Sequence, residues 1–341
     1  MSIWGVESLR KRKLRFAVIG LGKMGLVHAS ILNVIPDVEL VALVDKSALM
    51  NRLYKIIFSS TGISVMSDFE KLSGLNLDAV YITTPISSHS FIARNLYKKA
   101  IVRNMFVEKT LASNYNQAKE LCDFAKNFGS ITMVGYMKRF SVTFRRAKEL
   151  LAQESLGELH SFKAYAYSSD FLGLTKRSES SALRGGALRD IGCHVVDLAL
   201  WLLGDLKVND VLPNVTEIGS ATSVSFTAKN SDGLEGRFDV SQCMLNYRMP
   251  EFGLVIEGSK GRIEVNDDKI SLTLDNGNLT KKYKQDLSDN VDFFLGESEY
   301  FRENQHFVSS LLNNQTSEPN FESASRVDNV IDQVRNRSRL E

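Results

Sequence analysis

Between Gly185 and Asp197 the chain reads Gly-Gly-Ala-Leu-Arg-Asp-Ile-Gly-Cys-His-Val-Val-Asp, then runs through Leu-Ala-Leu-Trp-Leu-Leu to Gly204. Its length, apolar content and terminal glycine predict a buried helix. Asp190, His194 and Asp197 stand at i, i+4 and i+7, which stacks a carboxylate, an imidazole and a second carboxylate along one stripe of that helix. Buried charge must be paired or must face a cavity, so the stripe is expected to line a site.

The elements that position this stripe begin at Arg15-Phe-Ala-Val-Ile-Gly-Leu-Gly-Lys-Met-Gly25, an apolar strand that ends in Gly20, Gly22 and Gly25 and leads into the helical run Leu26 to Val34. The first glycine permits a tight turn, the second lets the backbone approach a pyrophosphate, and the third lets helix and strand pack closely. Unpaired N–H groups at the helix start add partial positive charge. A second apolar strand, Val38 to Val44, ends in Asp45, where a carboxylate can accept hydrogen bonds from an adenosine ribose. It would repel a 2′-phosphate, which favours NAD over NADP unless Lys46 or Arg52 turns toward that phosphate.

The alternation continues with strands Leu77 to Thr84, Met105 to Glu108 and Ile131 to Gly135, and with helices at about Ser88 to Lys99 and Asn114 to Phe128. Ligands of doubly wound sheets bind beyond the carboxyl ends of the strands, which places Thr84, Pro85, Glu108, Lys109 and Tyr136 near a cofactor.

After Gly135 the pattern changes. A helix from about Val142 to Gln153, a strand from Leu159 to Tyr167 and a polar loop from Ser168 precede the Asp190 helix. Strand-like runs follow at 221–229, 234–243, 252–257, 262–265 and 269–274, with turn chemistry between them. Two helices, about Glu299 to Asn313 and Glu322 to Asn336, complete the pattern. The fold expected is α/β: a Rossmann dinucleotide-binding domain over 1–135, and over 136–341 an α+β substrate and oligomerisation domain on a large, mainly antiparallel open sheet.

The net charge of +2 argues against a general nucleic-acid or membrane-surface binder. The basic run from Arg10 to Arg15 reads as a solvated arm. No apolar run reaches the roughly 18 to 20 residues of a membrane span, and no apolar signal core follows the first basic residues, so a cytoplasmic protein is expected. Cys122, Cys193 and Cys243 lie far apart, and His28, His89, His160 and His306 have no neighbour at ligand spacing, so neither disulfide nor metal is expected.

Taken together, Gly20-Leu-Gly-Lys-Met-Gly25 with His28, Thr84-Pro85 with His89, Glu108-Lys109, Gly135 to Phe140, Gly186 to Asp197 and Gly258 to Val265 resemble one family over nearly the whole chain. It is the glucose-fructose oxidoreductase and inositol dehydrogenase group, Gfo/Idh/MocA. The resemblance implies catalytic Lys109, Asp190 and His194, and a substrate set of Lys109, Tyr136, Arg139, Asp190 and His194. It implies a cofactor set of Gly20, Gly22, Lys23, Met24, Gly25, Asp45, Thr84, Pro85, His89, Glu108 and Lys109. The family usually reads Glu-Lys-Pro where this chain has Thr110. A cis bond to a non-proline residue costs ~2.5 to 4 kcal/mol, so the cis peptide that proline commonly makes there is left open in this chain.

What the resemblance implies in chemistry is oxidation of a secondary alcohol on a sugar, inositol or nucleotide-sugar. His194, whose type titrates near ~6.5, would be the acid/base, Lys109 would stabilise charge on oxygen, and Asp190 would orient the substrate or the imidazole. Asp197 is expected to be structural. Lys176, Arg177 and Arg184 of the polar loop would bind an anionic substrate group, or belong to a solvated lid. The two final helices and the Asp190 helix are expected to cover one face of the sheet, and the other, with Phe226 and Phe238 among its candidates, would pack on a second subunit to give a homodimer or homotetramer. The other class that keeps such a fold, a dinucleotide sensor without turnover, would be marked by loss of the lysine, aspartate or histidine, and this chain keeps all three.

Overall fold

In the computed structural model, residues 12–170, 185–212, 223–287 and 298–338 are described. Strands β1 (Leu14–Ile19), β2 (Val38–Val44), β3 (Ser64–Met66), β4 (Ala79–Ile82), β5 (Asn104–Val107) and β6 (Thr132–Val134) form a parallel sheet in the order 3-2-1-4-5-6. Helices α1 (Lys23–Val34), α2 (Ala48–Ile57), α3 (Ile86–Lys98) and α4 (Tyr115–Asn127) connect them. The central strands are buried on both faces, which explains their unbroken apolar runs. Strand order reverses between β1 and β4, opening a crevice at their carboxyl ends.

The second sheet has eight strands: β7 (Leu159–Tyr167), β8 (Leu206–Val211), β9 (Ser223–Asn230), β10 (Glu235–Ser241), β11 (Glu251–Gly258), β12 (Gly261–Asn266), β13 (Lys269–Leu274) and β14 (Leu279–Tyr283). Their order is 14-13-12-11-7-10-9-8, and every pair is antiparallel except β7 with β10. One face is covered by α5 (Val142–Ala152) on β12 and β13, and by α6 (Cys193–Leu203) on β7 and β11. β8 and β14 go beyond the strands expected. The turn at Asp275 to Gly277, after the last strand expected, leads into β14, which is exposed throughout and so lacks the alternation that marks a half-buried strand.

Two expectations about this sheet are corrected. Phe226 and Phe238 are fully buried, stacked on each other at 4.5 Å, with Phe238 edge-on to Phe162, on the helix-covered face rather than the open one. The open face is polar: Lys163 and Arg237 bracket Asp239 at 3.3 and 2.9 Å, and Tyr165 donates to Glu251. The last helices, α7 (Ser298–Leu312) and α8 (Phe321–Arg337), do not simply cover this sheet. α7 returns to the first domain, where Phe307 packs among Phe16, Tyr81 and Phe106. α8 bridges α4, α6 and β8. An amphipathic pattern specifies an apolar stripe but not which sheet receives it.

No helix among the described residues is long and apolar enough to cross a membrane. Arg12 and Arg15 of the basic run pair with Asp78 and Glu39, while the run's first two residues and Lys176, Arg177 and Arg184 lie outside the described residues.

Candidate active site

The β1–α1 turn is shaped by what its glycines leave out. Gly20 has φ +94°, and a Cβ there would lie 2.8 Å from the Thr84 nitrogen; a Cβ on Gly25 would collide with the Gly20 carbonyl. Gly22 faces open space, caps α1, and contributes no side chain to the first turn. Backbone N–H groups of Lys23 and Met24 are therefore open to a phosphate. Asp45 stands beside them, accepting from Leu21 N at 2.7 Å and Ser47 N at 2.8 Å. Those two bonds fix the carboxylate and leave lone pairs for ribose hydroxyls. The turn fits a dinucleotide.

Lys109 follows β5 and reaches Asp190, donating from Nζ to its main-chain carbonyl and lying 3.4 Å from Oδ1. Gln242, just past β10, donates from Nε2 to the other carboxylate oxygen at 2.8 Å. Burial works against charge on Lys109, but the acidic groups around it, Cys193, Asp190 and Glu108, together outweigh it and its pKa is raised. The ammonium therefore stays charged across neutral pH.

His194 opens α6 and is almost wholly buried, with Phe252 at 5.0 Å and Tyr136 at 6.2 Å, both edge-on. Its Nδ1 has no hydrogen-bond partner among the described residues. Burial, then the positive charges of Lys109 and Lys138, hold its pKa well below 6.5. The imidazole is neutral and ready to accept a proton. Cys193 beside it is inert, its thiol pushed up to about 12 chiefly by burial.

The single helical stripe expected of Asp190, His194 and Asp197 is corrected. Residues Leu188–Gly192 form a π turn, which alters the angular offset between Asp190 and α6. Asp197 points elsewhere and takes a two-pronged bond from Arg139, at 2.8 and 2.6 Å, with both groups buried. That pairing occupies Arg139, which was expected on substrate. Tyr136, also expected there, is fully buried under His194.

Two residues expected to touch the cofactor have their polar side-chain atoms bonded within the protein. His89 is fully buried, its ring nitrogens 2.9 Å from the Thr110 carbonyl and 2.7 Å from the Thr84 carbonyl. Glu108 pairs with His28 at 2.8 Å and accepts from Lys109 N. Thr84 and Pro85 do lie at the β4 end, where Pro85 caps α3. The Lys109–Thr110 peptide, whose isomer the sequence left open, is cis.

Sequence reasoning missed Gln242 and Lys138. Lys138 is buried in the turn after Tyr136, 2.7 Å from Asp267 and over the Phe252 ring. Lys138 lies inside the Gly135 to Phe140 motif and Gln242 just past β10, but their partners are distant in sequence and no local spacing marks them. Among the described residues no group of His, Cys, Asp and Glu could hold a metal.

A turn cut to admit a pyrophosphate, set against a charged lysine and a neutral imidazole, defines a class: two-domain oxidoreductases that work with a dinucleotide. Residues 14–136 match the model described as oxidoreductase family, NAD-binding Rossmann fold, and residues 144–264 match the Gfo/Idh/MocA C-terminal domain. The chain belongs to the Gfo/Idh/MocA family, and its first domain binds NAD.

Among curated relatives, the scyllo-inositol 2-dehydrogenase (NAD(+)) of Bacillus subtilis is 28% identical over 57% of this chain and 55% of its own length. The myo-inositol 2-dehydrogenase of Thermotoga maritima is 26% identical over 79% of this chain and 81% of its own. The chain thus spans little more than half of the first relative and about four fifths of the second. A solved structure of levoglucosan dehydrogenase with NADH shares the fold, with a TM-score of 0.84 at 18% identity over 96% of this chain and 98% of that one.

Proposed function

We propose that the chain moves a hydride between NAD and a secondary hydroxyl or carbonyl carbon of a sugar, inositol or nucleotide-sugar. The observation that carries this is the meeting of Lys109, Asp190 and His194 at the carboxyl end of β5, the strand two places from the cofactor turn. The names of the relatives support the polyol class.

When bound, NAD supplies the hydride acceptor. His194, neutral and shielded, accepts the hydroxyl proton during oxidation and returns it during reduction. Lys109 places positive charge where oxygen becomes negative, at a site where low exposure strengthens that attraction. Asp190, held by Gln242, fixes the ammonium. The open, ion-paired face of the second sheet is proposed to pack on a second copy, giving a homodimer or homotetramer. A monomer by light scattering at micromolar concentration overturns that part.

A thermal-shift screen in NAD⁺ with myo-inositol, scyllo-inositol, glucose, levoglucosan and UDP-glucose tests the substrate reading, followed by NADH absorbance on the hits. A ligand that binds only the native state raises Tm. At least one polyol is expected to raise it and to yield NADH. Binding of NAD⁺ with no response to any polyol overturns the reading.

A further inference from the structure

One residue away from Lys109 and one from Asp190, a second set of bonds ties the same two segments together. Arg189 is 2% exposed, and the two N–H groups of its Nη1 are shared among three acceptors: Thr110 Oγ1 at 2.7 Å, the Ala112 carbonyl at 2.6 Å and Asp328 Oδ1 at 2.6 Å. The Thr110 hydroxyl itself donates to the Ala112 carbonyl at 3.1 Å, so it serves as both donor and acceptor. Asp328, on α8, is fully buried. Room for the arginine stem comes from Gly185, at φ +84°, where a Cβ would lie 2.7 Å from Arg189 Cδ.

The geometry matters because the Lys109 to Asp190 contact is made by a long, flexible side chain. A lysine Nζ cannot by itself fix the distance between the β5 end and the π turn. Arg189 can, because Nη1 of one planar, stiff guanidinium sits against both segments and the last helix at once. We infer that Arg189, Thr110 and Asp328 form a clasp that positions Lys109 against Asp190, and that turnover depends on the Thr110 hydroxyl. The clasp rests on the reading of Lys109 and Asp190 as site residues. A proline side chain at position 110 has no atom that can accept from Arg189, so the hydroxyl does here what that side chain cannot.

The test uses the full chain with NAD⁺ and two readouts: turnover of myo-inositol, and acetylation of Lys109 by trace acetic anhydride, read by mass spectrometry. Thr110→Val keeps the shape and removes the acceptor, while Thr110→Ser keeps the hydroxyl. Thr110→Val is expected to lower kcat about tenfold with KM nearly unchanged, since small misplacements of a reacting group are costly. Lys109 labelling is expected to rise severalfold as the ammonium leaves Asp190, and Thr110→Ser is expected to restore both readouts.

Wild-type kcat and labelling in Thr110→Val overturn the clasp. If myo-inositol is not turned over, labelling alone decides. If Thr110→Val fails to fold, Asp328→Asn is expected to raise labelling in the same direction, and no rise overturns the proposal. Asp190→Asn separates the two readings. Unchanged labelling there refutes the hold of the Asp190 carboxylate on Lys109, whereas a rise there without one in Thr110→Val refutes the clasp alone.

Discussion

The turn from β1 into α1 and the turn into α6 both open with glycines, yet they build their halves of the site from different material. At the first, side chains are absent and backbone N–H groups face open space beyond Gly22. At the second, Gly185 makes room for a buried arginine, and the site is a lattice of side chains drawn from 109–112, 188–194, 242 and 328. A backbone site depends on local conformation and tolerates change around it. A side-chain lattice holds buried charge, and loss of one partner strands another.

The largest effect should come from breaking that lattice where its charges are deepest. Arg139→Ala leaves the fully buried Asp197 without its bidentate partner, and should cost about 3 to 5 kcal/mol of stability. Urea unfolding reads this, and a loss below about 1 kcal/mol would return Arg139 to the ordinary surface class.

Next comes chemistry. Lys109→Ala and His194→Ala should each lower turnover by about 10²-fold or more while NAD affinity changes little. Near-normal turnover in both variants removes them from the reaction.

On the backbone side, Asp45→Ser should shift kcat/KM toward NADP relative to NAD by about 10²-fold, the scale of a like-charge contact in a site. Gly22→Ala sharpens the comparison further. Nothing lies within 4 Å of the new Cβ, so Tm should hold while NAD binding weakens about tenfold, and equal loss of both would mean that the turn is not a pure cofactor surface.

The smallest effect is a displacement in pH. A lowered pKa keeps His194 in its proton-accepting form below pH 6.5, so the acid limb of kcat/KM for oxidation should fall below that value. Lys138→Met removes one of the two cations that depress it and should move the limb upward. A limb at or above 6.5 in the wild type contradicts the buried, cation-flanked imidazole.

The same contrast explains what could be read before the fold was known. Gly20, Gly22, Gly25 and Asp45 announce themselves because their roles follow from local conformation within a β-α-β unit. Lys109 and His194 were legible as types in a family pattern. Their environment was not, because Lys138, Gln242 and Asp328 arrive from segments far apart in sequence. Arg139 was misassigned for the same reason: its partner lies 58 residues away. Periodicity located most helices and strands to within a few residues, yet it was silent on which sheet α7 covers.

That return of α7 bears on how the protein is made. Phe16, Tyr81 and Phe106 lie in the first third of the chain, whereas Phe307 belongs to the last element but one. A ribosome adds about 5 to 20 residues per second, so this aromatic cluster waits at least ten seconds or so for its cover. During synthesis the dinucleotide domain is an unfinished body with an apolar wall exposed. Chaperone demand should therefore concentrate on nascent chains that carry the whole first domain and still lack Phe307.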